Sequence, residues 1–142
     1  MNVDELYGLL WDFARQRVVT VSAKCGLLQK LAEGTFLPVE MSESLGLDAQ
    51  ATGKMVRALC ALGLAEAEDE RFRMHPDLQP HFQPGQNDLT PFVEHAHGLY
   101  DRWGANLEEW VRTGQHRRNK RTGAQLKKFG QGMVASASLM AH

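Results

Sequence analysis

The sequence is short of cysteine, of proline and of any long apolar run, and each shortage removes a class of answer. Its two cysteines, Cys25 and Cys60, lie far apart in helical patterns. They read as small core residues, not as a disulfide or a metal pair. Five prolines and thirteen glycines in 142 residues leave no repeat and no low-complexity segment. No apolar run approaches the ~20 residues that span a bilayer, so no membrane partner is expected. The N-terminus, Met-Asn-Val-Asp-Glu, lacks a signal peptide's basic start and apolar stretch. A cytoplasmic location is the expectation.

Signatures of chemistry are missing too. There is no HExxH, no Cys/His set at zinc spacing and no nucleophile elbow. The six histidines do not gather, and His95 and His97, two apart on a helix, do not share a face. Gly130-Gln131-Gly132 is a lone GxG with no strand before it, which argues against a nucleotide loop. No catalytic, cofactor-binding or metal residue is assigned.

What is present is an ordinary globular composition, 43% hydrophobic and 23% charged, enough for one domain with a core. The net charge of -1 is unevenly spread. Residues 35–75 hold seven acids and four bases, while residues 116–142 hold six bases and no acid.

Patterning predicts a mainly α fold: a winged helix-turn-helix with additional N- and C-terminal helices and a small β-hairpin wing. Asn2 and Glu5 form a capping-box pattern. Leu6, Leu9, Leu10 and Phe13 make one apolar helical face, and Tyr7, Trp11 and Ala14 an adjacent one. So wide an apolar arc needs cover on more than one side. Either it lies in its own domain's core or part of it packs on another subunit. A second helix is expected over Arg17–Cys25, broken at Gly26, then a short one ending at Gly34.

Thr35-Phe36-Leu37 reads as a brief strand. Pro38–Leu45 and Asp48–Leu62 follow as helices, each closed by a glycine. The longer one offers Met55, Leu59 and Leu62 inward and Gln50, Lys54, Arg57 and Ala61 outward. Residues 64–67 and Arg71–Met74 form the wing, with Glu68-Asp69-Glu70 at its tip. A DNA reader would place the outward helix face in the major groove, but three acids at the tip oppose a polyanion.

Residues 75–87 are a proline-punctuated connector. Asp88 caps a helix carrying Phe92, Val93 and Ala96. Tyr100, Trp103, Leu107 and Trp110 predict one amphipathic helix ending at Val111-Arg112-Thr113-Gly114. Residues 115–123 read as an exposed basic loop. A last helix runs over Gln125–Met140 with Leu126, Phe129, Met133, Ala137 and Met140 on one side, weakened by Gly130 and Gly132. The whole is one domain, 1–142, divided into N-terminal helices (1–34), winged helix (35–75), connector and helices (76–114), and basic loop with C-terminal helix (115–142).

These pieces, in this order, resemble the N-terminal domain of S-adenosylmethionine-dependent O-methyltransferases of the plant caffeate and bacterial small-molecule type. Cys25–Gly34 is similar to that family's "LGLFDxLAEG", Val39–Asp48 to "TAEELAxxLGLD", and Val56–Leu64 to "LLRALAALGLL". Arg71–Pro76 resembles "YRLTP". Leu99–Trp103 and Val111–Gly114 resemble "LYxxW" and "VRTG". Phe129 and Met133 match the aromatic and methionine of the helix that leads into the catalytic domain.

The resemblance implies that the winged helix serves dimerisation and closure of the acceptor pocket instead of DNA reading. It implies a homodimer through the N- and C-terminal helices. Leu6, Tyr7, Leu9, Leu10, Trp11 and Phe13 are the candidate interface residues, and Trp103, Phe129 and Met133 the candidate pocket residues. The methyl acceptor would be a small molecule, largely apolar or aromatic, with a hydroxyl. The family's catalytic domain is expected to begin just after Met140. S-adenosylmethionine is thus expected only for a full-length parent, and these residues alone are expected to be inactive. Nucleic acid is not an expected partner. The rival reading is a dimeric winged-helix transcription regulator drawing on Lys54, Arg57, Arg71, Arg73 and the basic block 117–128.

Overall fold

A computed structural model describes residues 1–115 and 122–140; of Arg102, Trp103, Lys128, Ala135, Ser138, Leu139 and Met140 the backbone alone is described. Residues 116–121 of the expected basic loop, and with them residues 117–121 of the basic block 117–128, thus lie outside the described residues, and so does the side chain of Trp103.

Helix α1 spans Val3–Lys24 without a break. The Asn2 carboxamide accepts from the Glu5 amide at 2.9 Å, and the Glu5 carboxylate accepts from the Asn2 amide at 2.8 Å. This reciprocal pair satisfies two N-terminal donors. The separate helix expected from Arg17 is a continuation, because Ala14-Arg15-Gln16-Arg17 are strong helix formers with no cap or glycine among them. The real stop is Gly26, at φ 81, a conformation that costs a side-chained residue energy. Helix α2 (Leu27–Glu33) then buries Leu27, Leu28, Leu31 and Ala32.

The winged helix follows as α3 (Pro38–Leu45), α4 (Ala49–Ala61), β1 (Ala65–Glu68) and β2 (Arg71–Met74). Pro38 sits in the first turn of α3, and Glu40 reaches back to the Leu37 amide at 2.7 Å. Asp48 caps α4 by accepting from the Ala51 amide at 2.7 Å. The buried line on α4 is Thr52, Val56 and Leu59. Met55 and Leu62, expected at its centre, are half-buried flanks. The apolar arc of α4 is broad, and packing against both α1 and α3 sets its centre at Val56. Gln50, Lys54, Arg57 and Ala61 are exposed, on the outward face.

The hairpin pairs Ala65 with Met74 through Glu68 with Arg71, and Asp69 at φ 56 makes its turn. The expected strand at 35–37 reduces to one bridge, in which Phe36 and Phe72 exchange hydrogen bonds of 2.9 and 2.8 Å. Leu28, Leu31, Met41, Val56 and Leu59 centre the core beneath this wing.

Helix α5 (Thr90–Leu99) starts where Asp88 accepts from the Thr90 amide at 2.9 Å. The single amphipathic helix expected over Tyr100–Trp110 does not form. A π-helical turn at Tyr100–Gly104 ends it, and α6 (Leu107–Thr113) starts afresh. Gly104 and Asn106 both favour a break.

Helix α7 spans Gly123–Met140, opened by Thr122 and Gln125, whose side chains each accept from the other's amide. Its inward face is Phe129, Gly132 and Ser136, while Leu126, Met133 and Ala137 are exposed. The expected stripe is rotated away because α5 approaches at the glycine. A Cβ on Gly132 would lie 3.0 Å from Phe92 Cα and 3.1 Å from its nitrogen. Gly132 is a packing residue, not only a weak point. Among the described residues no helix is long and apolar enough to cross a membrane.

Candidate functional site

The first candidate surface is the N-terminal half of α1. Leu6, Tyr7, Leu9, Leu10, Trp11 and Phe13 are 46–64% exposed. Tyr7 and Trp11 stay on one face, their ring centres 6.4 Å apart. The helix is held at its other end, where Thr20, Ser22 and Ala23 are buried. The result is a rod about 33 Å long, anchored at one end, with large apolar side chains around the other. Contiguous exposed apolar surface of this kind marks interaction sites. Trp110 and Val111 of α6 and Leu126, Met133 and Val134 of α7 are exposed as well.

Of the pocket candidates, Phe129 is half-buried, with its ring centre 4.8 Å from that of His95. Met133 is 47% exposed. A cleft of about 660 Å³ beside α7 is lined by Gly85, Asp88, Pro91, Leu126, Gly130 and Val134, and by neither of them. The structure therefore does not bring Phe129 and Met133 together in that cleft. The Gly130-Gln131-Gly132 triplet lies within α7 and its second glycine is filled by the α5 backbone. These residues do not fit a nucleotide cofactor.

The second surface is the outward face of the winged helix. An open groove of about 820 Å³ is lined by Leu37, Pro38, Gln50, Arg57, Cys60 and Phe72, with Asp69 and Glu70 at its rim. The two arginines of the wing are already engaged. Arg71 pairs with Glu40 at 3.2 Å and donates to the Thr35 carbonyl at 3.3 Å. Arg73 pairs with Glu66 at 3.1 Å. The Leu37 amide, and with it Arg71, holds the Glu40 carboxyl below its usual range. Burial, aided by Glu66, pushes the Cys60 thiol up, away from the thiolate a nucleophile needs.

The third feature escaped the sequence reading. His97 is buried at the junction of α1 and α5, 9% exposed, opposite Arg17, Thr20 and Lys24. Burial first, then the two cations, lowers its pKa; Asp101 opposes them. The available signal was the polar line Arg17, Thr20, Lys24 at i, i+3, i+7 on one face of the helix. Among the described residues no group of three or more His, Cys, Asp or Glu is placed to hold a metal ion.

No family model matches the chain. In sequence it is similar to the O-demethylpuromycin-O-methyltransferase of Streptomyces alboniger, 25% identical over 113 residues, covering 79% of this chain and 30% of that enzyme. In fold it is similar to PigF, solved with SAH, at a TM-score of 0.84 and 14% identity, over 96% of this chain and 45% of PigF. It is also similar to an O-methyltransferase family protein from Burkholderia thailandensis, at a TM-score of 0.77 and 22% identity, over 99% of this chain and 44% of that one. The chain spans less than half the length of these relatives. It has the winged-helix fold of the N-terminal part of small-molecule O-methyltransferases.

Proposed function

We propose that this chain is the dimerisation and substrate-capping part of an S-adenosylmethionine-dependent O-methyltransferase acting on a small molecule. The observation that carries the reading is the N-terminal half of α1. Six large apolar side chains stand in water there, on a helix whose other half is firmly seated. A second copy of the chain, offering the same helix, is the occupant that buries them symmetrically. The exposed apolar residues of α6 and α7 extend the surface available to it. Phe129 and Met133 are the described side chains proposed to face the acceptor, a small apolar or aromatic molecule with a hydroxyl. The methyl donor and its binding residues belong to the part of the relatives that this chain does not span.

The acidic tip and the engaged Arg71 and Arg73 weigh against a DNA-reading use of the winged helix. Light scattering of the chain at micromolar concentration tests the proposal, and the expected mass is that of a dimer. A monomer in which residues 6–14 remain helical overturns it. Retention on random duplex at low salt, falling steeply as salt rises, replaces it with the regulator reading.

A further inference from the structure

Arg17, Thr20 and Lys24 of α1 share one helix face, and opposite them stands the His97 ring of α5. Arg17 Nη1 and Thr20 Oγ1 each lie 3.4 Å from Nδ1. Lys24 Nζ lies 3.5 Å from Nε2, and Asp101 Oδ2 lies 3.9 Å from the same atom. The Arg17 guanidinium also rests over the Tyr100 ring, 5.0 Å from its centre. Among the described residues, neither Arg17 nor Lys24 has a carboxylate within 4.0 Å.

A neutral His97 ring cannot accept from both cations. A neutral imidazole has one lone-pair nitrogen and one N–H. If Nδ1 accepts from Arg17, the Nε2 proton faces the Lys24 ammonium. If Nε2 accepts from Lys24, the Nδ1 proton turns toward Thr20 and Arg17. In either tautomer one cation faces a donor. Protonating the ring adds a third positive charge beside two others, with Asp101 alone to oppose it. A single acceptor carrying negative charge would pair with both cations at once. Lys24 is exposed and Arg17 half-buried, so such a group reaches both from solvent.

We propose that Arg17, Lys24, Thr20 and His97 form a seat for a small oxyanion of phosphate or carboxylate type at the α1–α5 junction. The anion accepts charge-assisted hydrogen bonds from Arg17 and Lys24 and one from the His97 N–H. It thereby joins the two helices through their polar faces. The seat is independent of the dimer reading, since it lies at the anchored end of α1.

The test is an NMR titration of the His97 ring in the intact chain with inorganic phosphate, and separately with acetate, at ionic strength held constant with sodium chloride. The expected result is a saturable shift of the His97 resonances and a rise in its pKa, because a bound anion stabilises the imidazolium. Response to phosphate alone assigns the phosphate type, and response to both assigns either oxyanion. Arg17→Gln and Lys24→Gln each weaken binding by about tenfold, whereas Lys54→Gln on the far face of α4 leaves it unchanged. No saturable response to either anion in the wild-type chain overturns the proposal, even where a variant fails to fold. So does a response that survives both the Arg17 and the Lys24 substitutions.

Discussion

The two halves of α1 invert each other. From Val3 to Phe13 the helix carries large apolar side chains, and they are exposed. From Arg17 to Lys24 it carries Arg17, Thr20, Ser22 and Lys24, and there Thr20 and Ser22 are buried. A single helix in one environment would show neither. The second half is held by α2, α4 and α5 of its own chain, and Arg17, Thr20 and Lys24 stand against the His97 ring. The first half has apolar surface and little of its own chain to set it against. Burial of one leucine-sized side chain is worth about 1.5–3 kcal/mol, so six such groups are a strong drive toward association. The lesson is that exposure along one helix separates the part its own chain covers from the part it leaves uncovered.

The largest expected effect breaks the first half. Leu10→Asp with Trp11→Asp places two charges where a partner helix would pack. Loss of one central anchor at an interface costs about 2 kcal/mol or more, roughly 30-fold in affinity. The double variant should therefore be monomeric at micromolar concentration by analytical ultracentrifugation, with its helical circular dichroism largely kept. A dimer of unchanged affinity would place the interface elsewhere.

The next effect strikes the platform under the second half. Helix α1 rests on α5, and α5 rests on α7 at Gly132. Gly132→Ala forces a methyl against the Phe92 backbone, and overpacking of this kind costs about 1–3 kcal/mol. Gly130→Ala meets nothing within 4 Å and should stabilise by up to about 1 kcal/mol through helix propensity. Urea midpoints should thus move in opposite directions for two glycines two residues apart. Equal shifts would mean that the α5–α7 approach is looser than described.

These glycines show what was legible in the sequence and what was not. Local chemistry was legible. Asn2 with Glu5, Asp48, Pro38 and Gly26 acted where their side chains or missing side chains act, within four residues. The winged helix followed from them. Tertiary geometry was not legible. Gly132 reads as a weak helix position until α5 is seen against it, and the α7 stripe through Leu126 and Met133 then turns outward. Val56, not Met55, centres α4 because two helices flank it. His97 reads as a surface histidine until Arg17, Thr20 and Lys24 arrive from 73 to 80 positions away. Apolar periodicity finds a face but not its orientation, and it is blind to a buried polar pair.

A third, smaller effect titrates the second half. The groups facing His97 are Arg17, Thr20 and Lys24 from α1 and Asp101 from the turn after α5. Burial and the two cations place its folded pKa below the ordinary 6.5. The unfolded chain takes up this proton near pH 6.5 and the folded chain only at lower pH. Its contribution to stability is complete above pH 6.5 and is lost as the pH falls from there toward the folded pKa. In phosphate-free buffer the urea midpoint should fall between about pH 7.5 and about pH 5.5, and His97→Gln should flatten that slope. An unchanged slope would assign the acid sensitivity to other groups.

The smallest effect returns to the first half and asks how much of its order is its own. The Asn2–Glu5 box is the device by which the exposed end of α1 holds itself together, since its side chains have little else to pack on. Asn2→Ala removes one side-chain acceptor and strands the Glu5 amide. At an exposed helix end the cost is about 0.5 kcal/mol, too small to unfold the domain. Its reach depends on assembly. In the Leu10→Asp, Trp11→Asp background, where the end is free, the lost cap should raise amide exchange over residues 3–10 by about twofold. In the otherwise unchanged chain the same substitution should be muted, because in the proposed dimer a partner helix holds the backbone that the cap no longer does. Equal exchange in both backgrounds would mean that the first half of α1 stands alone in solution, and that its apolar face has no helix set against it.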